Sequence, residues 1–137
     1  MPFLTTDADI ASLLRRSRTI AVVGLSANPA RDSNRVAHYL LSRGYTIIPV
    51  NPTLDEVLGQ KAFPDLASIG HPVDIVDVFR RPEFVGAVAD AAAASGARAL
   101  WLQFDTVDEE AAARASGAGL DVVADRCIMA DHRRLLA

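Results

Sequence analysis

The stretch Thr19–Arg35, TIAVVGLSANPARDSNR, decides the fold. Thr19–Val23 is nearly continuous in apolar and β-branched residues, the composition of a parallel strand covered on both faces. The run ends at Gly24, which opens a loop rich in serine, asparagine and arginine, and helical spacing begins at Asn34. Strand, polar loop and helix in that order form the first half of a βαβ unit. The pattern then recurs. Further short apolar runs lie at Tyr45–Val50, Val73–Phe79, Ala99–Phe104 and Leu120–Ala124. Between them, Asn34–Arg43, Pro82–Ser95 and Val107–Ser116 carry helical spacing, each closed by a glycine at Gly44, Gly96 or Gly117. Asp7–Arg16 reads as a leading helix, and Ala91–Ala94 as the close-packed face of one. The crossover Asn51–His71 is irregular, with Pro52, Gly59, Pro64 and Gly70 leaving room only for short helical turns such as Asp65–Ser68. Alternating strands and helices imply right-handed crossovers. The expected fold is α/β: a single Rossmann-like, doubly wound parallel sheet of about five strands with helices on both faces, forming one domain over residues 1–137.

Composition narrows the function. The chain has 137 residues, half of them hydrophobic and 23% charged, with a formal net charge of −3. That is enough chain for one core, and too hydrophobic for disorder. A net negative charge argues against duplex nucleic acid as the main ligand. One cysteine excludes internal disulfides and suits a reducing compartment. The N-terminus has acids first and arginines later, the reverse of a secretory signal, and no apolar run reaches the length of a membrane span. These features lead us to expect a cytoplasmic protein with no membrane or nucleic-acid partner.

In such folds ligands collect at the carboxyl ends of the strands, above all at the first loop. Here Gly24 is the only glycine of a G-x-G-x-x-G fingerprint, so ordinary NAD binding is disfavoured. The loop offers instead Ser26, Asn28, Arg31, Ser33 and Arg35 ahead of a helix N-terminus, a set suited to a small phosphate ligand. The alternative is that Asp32 or Ser33 caps the helix and the arginines are solvated. Asn51-Pro52 ends the second strand, where NAD-binding domains place an acid on the adenosine ribose; an amide there tolerates a phosphorylated ribose, although Asn-Pro is also a simple turn. Phe79 and Arg80 follow the third strand and could meet adenine and phosphate, or be core and surface. Gln103 is a candidate partner for a ligand amide, and Trp101 reads as core. In the tail, Arg126 would bring positive charge beside Cys127, a thiol that is either at the cleft or a small buried hydrophobe. His38, His71 and His132 do not form a metal set.

Five stretches carry a family resemblance: IAVVGLSANPARDSNRVAHYLLSRGY, IIPVNP, VLGQKAFPDL, VDIVDVFRRP and DRCIMADHRRL, in order from Ile20 to Leu135. The sequence resembles the small stand-alone CoA-binding proteins of bacteria, whose domain is similar to the CoA-binding domain of the succinyl-CoA synthetase α subunit. The resemblance implies CoA or an acyl-CoA as ligand. Its phosphates would lie near Ser26, Arg31 and Ser33, its adenosine near Asn51, Phe79 and Arg80, and its pantetheine arm would run toward Gln103 and the tail. It also implies binding without catalysis. Two alternatives stand beside it: a thiol-dependent or acyl-transfer enzyme using Cys127 with His132 as base, and a module sensing NAD or an adenine nucleotide. A homodimer or a protein partner is left open.

Overall fold

The computed structural model describes residues 3–136. Its main sheet contains β1 (Thr19–Val23), β2 (Thr46–Val50), β5 (Ile75–Val78), β6 (Ala99–Leu102) and β7 (Asp121–Ala124), all parallel, in the order β2-β1-β5-β6-β7. Helices α1 (Asp7–Arg16), α2 (Asp32–Ser42) and α5 (Ile128–Leu135) cover one face, where Leu13, Leu14, Val36, Leu40 and Ile128 pack on Ile20, Ile75 and Trp101. Helices α3 (Pro82–Ala94) and α4 (Glu109–Gly117) cover the other, where Val85, Ala89, Ala111 and Ala115 meet Ala21, Val76 and Leu100. The sheet is therefore doubly wound, as its continuous apolar strands required.

Local sequence explains the helix ends. Thr6 caps α1 through Oγ1, which accepts the Asp9 N–H at 3.2 Å, and acids lead the helix while Arg15 and Arg16 close it. Asp108 caps α4 in the same way, and Pro82 opens α3. Three expectations need correction. Gly117 lies inside α4, and Gly119 takes the left-handed conformation after it. Of the alanine run, only Ala92 is fully buried, because the inward face of α3 is Val85, Ala89 and Ala92. The crossover after β2 holds a short antiparallel hairpin, β3 (Glu56–Val57) with β4 (Gln60–Lys61), followed by a 3-10 turn at Ala67–Ile69. Its two-residue turn puts Leu58 and Gly59 both at positive φ, the geometry of a type I′ hairpin.

Register fixes the functional edge. Val23 pairs with Val50 and with Val78, Val78 with Leu102, and Leu102 with Ala124, so all five strands end in one row. The residues that follow, Gly24, Asn51, Phe79, Gln103 and Asp125, emerge along one line that crosses four strand intervals of about 4.8 Å each.

Candidate functional site

The site lies where the chain reverses direction across the sheet, with β1 flanked by β2 on one side and β5 on the other. A crevice forms at such a switch because the loops after β1 and β5 depart to opposite faces. Gly24 permits it. Its φ of +87° is open to glycine, and a Cβ there would stand 2.4 Å from the Phe79 carbonyl oxygen. The two loops thus approach more closely than any other residue would allow.

The β1 loop is shaped by its own side chains. The Ser26 N–H donates to Ser33 Oγ at 3.0 Å, the Asn28 N–H to Ser26 Oγ at 3.1 Å, and the Ala30 N–H to Asn28 Oδ1 at 2.9 Å. Asn34, buried at the start of α2, donates Nδ2 to the Ser26 carbonyl at 2.8 Å. Asn34 was not among the candidates from sequence; its position one turn into the helix is the only clue it gives. Arg31 occupies the N-cap of α2 without capping it through its side chain. The first amides of α2 therefore have no side-chain acceptor at the N-cap, and the exposed Arg31 stands beside them. Arg35 is engaged otherwise: it pairs with Asp32 and donates Nη1 to the Ala30 carbonyl at 2.8 Å, bracing the loop.

Three adjoining cavities follow the sheet edge. The largest, about 800 Å³, runs from Gly24, Ser26, Asn28 and Arg31 to Asn51, Pro52, Phe79 and Arg80. Thr53, Leu54 and Pro64 complete its wall, and these too were missed from sequence. Pro64 arrives because Phe63 bridges to Val50 at the sheet's edge, a pairing that the irregular crossover conceals. A second cavity of about 350 Å³ shares Gly24, Ser26, Arg31 and Phe79 and reaches Ser33. A third, about 330 Å³, shares Phe79 and Asp32 with the second and extends to Gln103 and Cys127.

Not every candidate offers its side chain freely. Asn51 forms the turn considered as its alternative role: Nδ2 donates to the Leu25 carbonyl at 3.1 Å while Oδ1 accepts from the Thr53 N–H and hydroxyl. Arg80 stacks over the Phe84 ring, with Cζ 4.5 Å from its centroid. Gln103 is buried and accepts the Ile128 N–H through Oε1 at 3.1 Å, which leaves only its Nε2 for a ligand. Arg126 departs furthest from expectation. Its guanidinium forms a bidentate pair with Asp131, at 2.6 and 3.1 Å, and so braces the start of α5. Cys127 sits at the N-cap of α5 and is half-buried against the third cavity. His132, the base considered for it, is hydrogen-bonded elsewhere. Its Nδ1 lies 2.8 Å from the Tyr39 hydroxyl, its ring packs edge-on between Tyr39 and Tyr45, and burial, with Arg43 nearby, lowers its pKa. Trp101 is fully buried and donates Nε1 to the Arg126 carbonyl at 2.8 Å.

Comparison with known proteins matches residues 18–133 to the family described as CoA binding domain. The chain belongs to that family. An uncharacterized protein of Bacillus subtilis, YneT, is 46% identical over 127 residues, covering 93% of this chain and 94% of that protein. A hypothetical protein from Pyrococcus horikoshii superposes with a TM-score of 0.94 at 43% identity, covering 97% of this chain and 94% of the other. A dinucleotide-forming acetyl-coenzyme A synthetase from Candidatus Korarchaeum cryptofilum, solved with phosphate and ADP, aligns at 26% identity with a TM-score of 0.73, over 84% of this chain but only 27% of the synthetase. The CoA-binding domain thus aligns with about a quarter of that synthetase. No helix among the described residues is long and apolar enough to cross a membrane.

Proposed function

We propose that this protein binds CoA, free or acylated, along the carboxyl edge of its sheet and does so without catalysing a reaction on it. The observation that carries this reading is the row of three adjoining cavities from Asn51 and Pro52, past the N-terminus of α2, to Gln103 and Cys127. A nucleotide with a long thin arm fits such a trough, whereas a compact nucleotide would fill only part of it. In this reading the diphosphate lies between Arg31 and the first amides of α2. The adenosine rests against Pro52, Thr53 and Leu54, and Phe79 lies between nucleotide and arm. NAD is disfavoured because no acid stands where a ribose hydroxyl would be held and because the loop is longer than the dinucleotide fingerprint. The engagement of His132 with Tyr39 supports binding over an enzymatic reading of Cys127, which would call on that imidazole as base.

Calorimetric titration with CoA and NAD tests the proposal: CoA is expected to bind much more tightly, and equal affinities would overturn it. Arg31→Ala removes a charge-assisted contact worth about 1.5–3 kcal/mol. The variant should therefore bind CoA roughly 10- to 100-fold more weakly than the parent. Unchanged affinity would make Arg31 a solvated loop residue.

A further inference from the structure

The far end of the trough holds chemistry that simple binding does not use. Cys127 is the chain's single thiol, and it borders a cavity of about 330 Å³ whose other walls include Phe79, Gln103, Phe104 and Met129. Two observations make this a ligand site and not only a place where a cysteine reaches the surface. Gln103 is 95% buried, and its Oε1 is fixed by the Ile128 N–H, which leaves the two Nε2 hydrogens without an acceptor among the described residues on a side chain that lines the cavity. A ligand carbonyl placed in the cavity can accept from that donor. Phe104, beside it, is 59% exposed, the most exposed large hydrophobic side chain described. An amide donor, an apolar wall and a thiol at one end of a phosphate-binding trough match the tip of a pantetheine arm, which carries amide carbonyls and ends in sulfur.

We propose that Cys127 is a thiol–disulfide exchange site for CoA disulfide, an inference that rests on the CoA-binding reading above. One CoA unit of the disulfide lies along the trough, bringing its sulfur to Cys127. The Cys127 thiol gives its proton to solvent and its sulfur attacks the near sulfur of the bound disulfide. The CoA–CoA sulfur bond breaks as the Cys127–CoA bond forms. The second CoA leaves as a thiolate and takes a proton from solvent. Cys127 is oxidised, the departing CoA is reduced, and CoA disulfide is the oxidant. The protein thereby holds one CoA covalently, and any thiol that attacks the mixed disulfide releases it. Cys127 lies at the N-cap of an eight-residue helix, whose first amides have no helical carbonyl partner and favour negative charge at that end of the helix.

The test combines kinetics with binding on the full chain. Reduced protein is exposed to CoA disulfide or, at equal concentration, to neutral 2-hydroxyethyl disulfide, and adducts are followed by intact mass. In parallel, a CoA analogue lacking sulfur is titrated by calorimetry. The expected result is an adduct with CoA disulfide on the order of tenfold or more faster than with the neutral disulfide, because docking raises the effective concentration of the reacting sulfur. The sulfur-free analogue should slow the reaction, and Cys127→Ser should give no adduct. Tight binding of the analogue with no rate preference for CoA disulfide would overturn the exchange role while leaving CoA binding intact. Absence of both would overturn the two together.

Discussion

Replacing Gly24 by alanine is expected to destabilise the protein by about 2–4 kcal/mol and to abolish CoA binding at concentrations that saturate the parent. The new methyl would stand 2.4 Å from the Phe79 carbonyl oxygen, an atom of the adjacent strand's backbone and not the end of a flexible side chain. The alanine would also have to hold a φ of +87°. Relief requires β1 and β5 to move apart at their carboxyl ends, where the Phe79 N–H donates to the Val23 carbonyl at 2.9 Å. That movement would open the crevice between the two largest parts of the trough. For a domain of this size the melting temperature should fall by roughly 10 °C. Denaturant unfolding and a CoA titration of Gly24→Ala check both halves; a parental melt with parental affinity would show that the close approach of the two loops is unimportant.

The second large effect comes from Asp77, in the middle of β5. It is fully buried between Val22 and Trp101 on its neighbouring strands, and neither carboxyl oxygen has a hydrogen-bond partner. Burial alone pushes its pKa well above the ordinary 3.8, so the native state favours the neutral acid. The sign of the pH effect follows. Below the unfolded value both states hold the proton and Asp77 adds no pH dependence. As pH rises above it, the unfolded chain releases the proton while the native chain retains it. Stability therefore falls by about 1.4 kcal/mol per pH unit until the pH reaches the raised native value, where the loss levels off. Asp77→Asn keeps the shape and removes the titration. Its advantage over the parent should be small near pH 4 and should grow as the pH rises from there, until the raised native value is passed. Denaturant melts of both proteins across that range measure it. A gap that does not change with pH would mean that the native carboxyl is ionised or partnered.

Most of the fold was legible because the physics behind it is local and periodic. Val22 and Val23 belong to a continuous apolar run that only a doubly covered strand can bury, and Gly44 and Gly96 mark helix ends through their positive φ. Helix α5 was not legible for a definite reason. Its inward residues include Asp131 and His132, polar side chains made compatible with burial by Arg126, Arg134 and Tyr39. An apolar stripe, the signal that sequence reading depends on, is mostly replaced there by a network of distant partners. The β3–β4 hairpin was hidden likewise, since its turn is Leu58-Gly59 and not the Asn-Gly that advertises a type I′ geometry. At the site, sequence placed Ser26, Arg31 and Ser33 in one loop. It could not assign Arg126 to Asp131 or Arg35 to Asp32, because which acid an arginine meets depends on packing between elements and on rotamer choice, not on spacing alone.

The reading of the edge as one continuous CoA site is tested most directly by a crystal structure of the protein grown with CoA. The diphosphate is expected at the N-terminus of α2 beside Arg31, the adenosine against Pro52 and Leu54, and the thiol end in the cavity of Gln103 and Cys127. A CoA seated elsewhere, or one whose arm leaves the sheet edge before reaching Gln103, would contradict it.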